Sequence, residues 1–170
     1  MTLATPRELF VHELSDTVSA ENIVLEMLGE LVNETKIPDV KAAVKHHQDE
    51  TKQQLKNLTK VFSLLGEKPE KTTCHAAEGL KEEHKALKEE KPSPLVLEVG
   101  NLAGAAKTEH YEIASYNALI QMAKDLGEPE VAALLKENLD QEKEMARKVE
   151  SLARQVGKEV RKDLKTQTAA

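Results

Sequence analysis

Turn-forming residues cut this chain at only a few places, and the stretches between them are long. Thr5-Pro6, Ile37-Pro38, Gly66, Pro92-Ser93-Pro94 and Gly127-Glu128-Pro129 bound four runs, about 6–34, 38–65, 94–126 and 129–164. Apolar residues recur three or four positions apart through each run, a spacing that forms one continuous face only on a helix. Phe10, Leu14, Val18, Val24, Leu25, Leu28 and Leu31 mark the first. Val40, Val44, Leu55, Leu58, Val61, Phe62 and Leu65 mark the second. Leu95, Val99, Leu102, Ala106, Ile113, Tyr116 and Ile120 mark the third, and Leu134, Leu135, Val149, Leu152, Val156, Val160 and Leu164 the fourth. The ends carry helix punctuation. Thr5-Pro6-Arg7-Glu8 reads as a capping box with Pro at N1, Gly66 as a C′ residue, and Ser93-Pro94 as a second N-cap with Pro at N1.

An all-α protein follows. Composition agrees: only 2% of residues are aromatic, there is no Trp, and seven Gly and six Pro are too few for the turns of a sheet protein of 170 residues. The link at Lys36 to Asp39 is short enough to make the first two runs antiparallel neighbours, and Gly127-Glu128-Pro129 does the same for the last two. Between the hairpins, about 67–93 form a long crossover, with a shorter helix expected over about 74–90, capped by Thr72 or Thr73. Two antiparallel hairpins joined by such a crossover predict a four-helix bundle of ferritin-like connectivity. Residues 1–165 are expected to be a single domain and 166–170 a frayed tail.

The net charge of −6 leaves no broad basic stripe for phosphates, so nucleic acid is not an expected partner. No apolar run approaches the roughly 18 residues that a transmembrane helix needs, and Met1 to Phe10 lacks a secretory pattern. Cys74, the single cysteine, can form no internal disulfide, which fits a cytoplasmic protein. The last run outreaches the others and ends in Arg147, Lys148, Arg154, Lys158, Arg161, Lys162 and Lys165. This is read as a solvated basic face favoured by the helix dipole, with the overhang as a homodimer contact. Docking of an acidic partner there is the alternative.

The informative residues interrupt the apolar faces. Glu21 falls between Val18 and Leu25; His47, Glu50, Thr51 and Gln54 between Val44 and Leu58; Glu109 and Glu112 between Ala106 and Tyr116; Asn138 and Glu142 between Leu135 and Val149. Glu21 and Glu50 each lie roughly 17–20 Å from the first turn at 1.5 Å per residue, and Glu112 and Glu142 roughly 20–22 Å from the last. Glu21 to Glu50 is 29 positions and Glu112 to Glu142 is 30, as in a diverged repeat of one helical hairpin. The acids of all four helices are therefore expected in one layer. Two carboxylates about 4 Å apart repel by roughly 4 kcal/mol at an effective dielectric of 20. Several cannot stay buried and ionised without cations or protons. Two divalent metals supply the missing charge. Carboxylate oxygens with sparse imidazole suit iron, with manganese the alternative. His47, one turn from Glu50, is the candidate nitrogen donor. His46 is expected toward solvent and His110 sideways. Asp16 lies near the inner face but at a different height. Gln54 and Tyr116 are placed to orient ligands through hydrogen bonds. Cys74 reads as a small apolar residue of the crossover helix, and Gly100 and Gly104 as close-packing points.

These residues resemble a family. Leu9-Phe10-Val11-His12-Glu13-Leu14-Ser15-Asp16 with Ser19-Ala20-Glu21, the stretch His47 to Thr51 with Gln54, Leu64-Leu65-Gly66-Glu67-Lys68-Pro69, Ala77-Glu78-Gly79-Leu80, Leu134 to Lys143, and above all Glu109-His110-Tyr111-Glu112-Ile113-Ala114-Ser115-Tyr116 resemble the YciF-like stress proteins, a bacterial ferritin-like family. The resemblance covers about residues 5–155. It implies a ferritin-like bundle, a dimer, induction under stress and a dinuclear metal centre. Carried over by position, Glu21, His47, Glu50, Glu109, Glu112 and Glu142 match the ferritin-like pattern of inward ligands, and two Glu three apart in the third helix resemble rubrerythrin. The usual Glu-x-x-His is absent. Gln53 and Met145 stand where its histidines would be, Ala146 where relatives often carry Asp, and Val18 where they often carry Tyr. One metal position is then expected to be weak or open to solvent.

The expected function is a non-haem dinuclear metal protein reacting with O2 or peroxide. Glu50 and Glu142 would bridge the metals, Glu21, Glu109 and Glu112 would be terminal or shifting ligands, and a separate partner would donate electrons, since no paired cysteines are present. The alternative is a non-catalytic scaffold whose acid layer is structural.

Overall fold

The computed structural model describes residues 3–168. Within them are five helices: α1 (Pro6–Glu34), α2 (Pro38–Leu65), α3 (His75–Glu89), α4 (Pro94–Asp125) and α5 (Pro129–Thr168). No strand occurs among the described residues. The local signals explain the boundaries. Thr5 Oγ1 accepts from the Glu8 backbone N–H at 3.2 Å, and the Glu8 carboxylate accepts from the Thr5 N–H at 2.8 Å. Together these satisfy two of the donors that a helix start leaves unpaired. Gly66 ends α2 with φ of 70°, a left-handed conformation that glycine adopts without steric penalty. Ser93 Oγ accepts from Val96 N–H at 3.4 Å to begin α4.

The helices pack as a ring. α1 lies on α2, α2 on α5, α5 on α4, and α4 back on α1, while α3 covers the outer groove between α1 and α4. Cross-links show that neighbours run antiparallel. Near the start of α1, Arg7 donates to the Leu65 carbonyl at the end of α2 and to Glu128 beyond the end of α4. At the other end, Glu98 near the start of α4 accepts from Thr35 Oγ1, at 2.8 Å to its Oε2, and from Lys36 N–H in the α1–α2 link.

Two apolar clusters occupy the interior. One gathers Phe10, Leu14, Leu58, Val61, Tyr116, Leu119 and Leu135. The other gathers Val24, Leu28, Val40, Val44, Leu102, Met145 and Val149. Along each of the four ring helices the chain passes from one cluster to the other, and the polar residues of its inner face fall between them. The acids therefore lie in a layer sealed above and below by hydrocarbon.

Three local expectations change. The cap of α3 is Cys74, whose Sγ accepts from Ala77 N–H at 3.4 Å, rather than Thr72 or Thr73. Ser19 Oγ holds the Cys74 N–H at 2.9 Å and so sets where the helix begins. Val99 is 44% exposed while its neighbour Glu98 is buried, because the bonds from Thr35 and Lys36 decide which side of α4 faces inward at that end. The helix continues through Thr168 instead of fraying from Thr166, and Leu164 is exposed beyond the ring. Ala169 and Ala170 lie outside the described residues. No described helix is long and apolar enough to cross a membrane.

Candidate metal centre

Each helix of the ring delivers its polar residues at mid-length. Glu21, His47, Glu109, Glu112 and Glu142 are buried. His47, Glu109, Glu112 and Glu142 bring one potential ligand atom apiece to within 4.8 Å of one another. His47 Nε2 lies 3.4 Å from Glu109 Oε1 and 3.7 Å from Glu142 Oε2. Its other nitrogen, Nδ1, lies 3.2 Å from Glu50 Oε2. Donation of the Nδ1–H to that carboxylate leaves the Nε2 lone pair aimed at the acids, the tautomer of a metal-binding imidazole.

Glu50 sits at the edge of the layer, half-buried. His46 Nε2 approaches its other oxygen at 3.4 Å from the surface. A depression between α2 and α5, lined by Ala43, His46, Glu50, Glu144, Arg147 and Ser151, brings solvent to this carboxylate. Glu21 completes the layer from α1. Its carboxylate accepts from the Tyr116 hydroxyl, and its charge acts on Glu109 and Glu112.

Electrostatics mark the layer as incomplete in protein groups alone. Burial pushes the carboxyls of Glu21, Glu109 and Glu112 well above the usual carboxylate range, and the Glu142 charge pushes each of them further. Among the described residues, Glu21 Oε2, His47 Nε2, Glu109 Oε2, both oxygens of Glu112, and Glu142 Oε2 are buried without a hydrogen-bond partner. Buried polar atoms are rarely left unpaired, and those of His47, Glu109, Glu112 and Glu142 belong to one close cluster of oxygen and nitrogen donors. The donor set and the orphaned atoms fit divalent metal.

Hydrogen bonds hold the donors from behind. Gln54 Nε2 donates to Glu142 Oε1. Asn138 Nδ2 donates to the Tyr116 hydroxyl at 3.0 Å and to the Gln54 carbonyl at 3.3 Å, while Asn138 Oδ1 accepts from Asn57 Nδ2 at 2.8 Å. Asn57 was not among the residues the sequence singled out, although it stands one turn beyond Gln54 on the same face. His110 is exposed, Asp16 is half-buried, and neither belongs to the cluster. Asp16 instead accepts from the Tyr111 hydroxyl at 3.4 Å, and that hydroxyl lies 2.9 Å from Cys74 Sγ. Cys74 is therefore a polar contact and a helix cap as well as a packed residue. A Cβ on Gly100 would strike the Leu87 side chain, so α3 and α4 pack closely there, whereas Gly104 faces open space.

Residues 5–163 match the family described as a domain of unknown function, DUF892. Over 154 residues the chain is 37% identical to Protein YciF of Escherichia coli K12, covering 90% of this chain and 93% of that protein. The chain belongs to the YciF family. The crystal structure of the E. coli stress protein YciF superposes with a TM-score of 0.88 at 35% identity, over 92% of this chain and 99% of that one. YcfI of Rhodopseudomonas palustris, described as having a proposed structural role, superposes with a TM-score of 0.84 at 32% identity, over 87% and 94%. A protein of Xanthomonas campestris pv. campestris, 24% identical with a TM-score of 0.76, shares the fold.

Proposed function

We propose that this YciF-family chain is a ferritin-like four-helix bundle holding two divalent metals, with iron in first place and manganese as the alternative. In this reading the pair reacts with O2 or peroxide during stress. The observation that supports it is the meeting of His47, Glu109, Glu112 and Glu142 within 4.8 Å, sealed between two apolar clusters and with oxygens unpaired. When bound in reduced form, the metals supply the electrons that O2 or peroxide accepts. The protein's own groups do the rest. His47 Nε2 would give the nitrogen donor, and Glu21, Glu50, Glu109, Glu112 and Glu142 would give the carboxylate oxygens that hold the metals. Gln54 fixes Glu142, and Tyr116 fixes Glu21. The hydrocarbon on both sides excludes bulk water, while Glu50, at the edge, faces the solvent route. An external electron donor and a homodimer belong to the same proposal.

The test is anaerobic titration of chelator-treated protein with Fe(II), followed by peroxide. About two metals per chain and stoichiometric peroxide loss are expected, and Glu112→Ala with Glu142→Ala should abolish both. Binding of less than one metal per chain would refute the proposal.

A second reading is a scaffold whose acid layer is stapled by metal and does no chemistry. The proposed structural role of the Rhodopseudomonas relative favours it. Under this reading metal raises the unfolding temperature but peroxide is not consumed.

A further inference from the structure

A cavity of about 290 Å3 opens next to the acid layer, and all five helices contribute to its wall. Its lining is mostly hydrocarbon, including Val24, Leu28, Val44, Leu87, Met145 and Val149. Two features set it apart from a packing defect. Asn101, in α4, lines it and is only 4% exposed, yet neither Nδ2 nor Oδ1 has a hydrogen-bond partner. A buried amide with every polar atom unpaired is rare, because each has given up water for nothing. Gly104, three residues along the same helix, also lines the cavity, and a Cβ built there meets no atom within 4 Å. Glu109 closes the inner end, about 12 Å of helix rise from Asn101.

The lining also says what charge an occupant carries. Glu109 offers no attraction to an anion. The basic groups of the wall are engaged: Lys107 with Glu83, and His84 Nε2 with Glu34 Oε2 at 2.9 Å. No free positive group is left for a carboxylate. The Asn101 amide both donates and accepts, which matches a group that does the same. A dry cavity of roughly 150 Å3 holds benzene, so this one holds roughly a dozen non-hydrogen atoms.

We propose that this cavity binds a neutral, mostly hydrocarbon molecule of about a dozen heavy atoms with one hydroxyl or carboxamide group, which pairs with Asn101 while the hydrocarbon runs past Gly104 toward Glu109. The binding does not depend on metal, so the proposal stands apart from the one above. It is tested by calorimetric titration of the full, chelator-treated chain with 1-octanol and with octanoate. Saturable one-to-one binding of 1-octanol is expected, with octanoate at least tenfold weaker. Gly104→Leu fills the open space and should abolish binding. Asn101→Leu should weaken 1-octanol at least tenfold while leaving cyclohexane binding intact. Circular dichroism and the cooperativity of thermal unfolding report whether each variant retains its fold. Failure of 1-octanol to bind the unaltered protein, tighter binding of octanoate, or equal binding by a folded Gly104→Leu variant would each overturn the proposal.

Discussion

Replacing Glu142 by Gln should change the stability of this protein in opposite directions with and without metal. Glu142 is fully buried, and its charge raises the carboxyls of Glu21, Glu109 and Glu112. Two ionised carboxylates at the 4.8 Å limit of the cluster repel by about 3.5 kcal/mol at an effective dielectric near 20. The metal-free protein escapes part of this by taking up protons, so the gain on removing the charge is smaller, roughly 1–3 kcal/mol at pH 8. At 2–4 °C per kcal/mol for a chain of this size, Glu142→Gln should melt about 2–12 °C higher than the unaltered protein in chelator. The shape is conserved, and the amide oxygen of Gln still accepts from Gln54. In metal the sign reverses. Metal present at about ten thousand times its dissociation constant stabilises the folded state by about 5.5 kcal/mol; loss of a donor removes most of that, which outweighs the gain of roughly 1–3 kcal/mol and leaves a net loss of about 2.5–4.5 kcal/mol, some 5–18 °C. Thermal unfolding followed at 222 nm, in chelator and in excess Mn(II), measures both. A shift of the same sign in the two conditions would mean that the layer is not a metal site.

Three further predictions concern stability. Metal-free protein should lose stability as pH rises. The raised carboxyls of Glu21, Glu109 and Glu112 bind protons more tightly folded than unfolded, so their contribution is full below the ordinary carboxylate range and is lost as pH climbs through the raised values. Urea midpoints in chelator should fall between pH 5 and pH 8.5, and Glu112→Gln should flatten the slope. Tyr116→Phe removes the donor to Glu21 and an acceptor for Asn138, and urea unfolding should show a loss of about 1–3 kcal/mol. Gly104→Ala should gain about 1 kcal/mol from helix propensity, since its Cβ meets open space, whereas Gly66→Ala should lose about as much at φ of 70°. Equal shifts in the two melting curves would contradict this.

Much was legible because it is local. Capping at Thr5 and Ser93, the left-handed stop at Gly66 and the Pro residues at 38, 94 and 129 are written within three or four positions of where they act. The 3.6-residue period put Glu21, His47, Glu109, Glu112 and Glu142 on inner faces, and counting rise from two short turns put Glu21, Glu50, Glu112 and Glu142 at one height. Legibility failed where a partner distant in sequence decides. Val99 turned outward because Glu98 is held by Thr35 and Lys36, more than sixty positions away. Cys74 displaced two threonines as a cap because Ser19 holds its N–H.

Periodicity and rise are properties of a single helix, so the chain on its own determined the rods, their inner faces and the level of the acids. Only the packed ring decided which ligand atoms come within reach of one another, that Glu50 stands at the solvent edge while Glu142 is sealed, and that a cavity beside them leaves Asn101 unpaired. Those distances depend on the rotation of each rod about its axis and on side chains contributed by all its neighbours, and no stretch of sequence contains them.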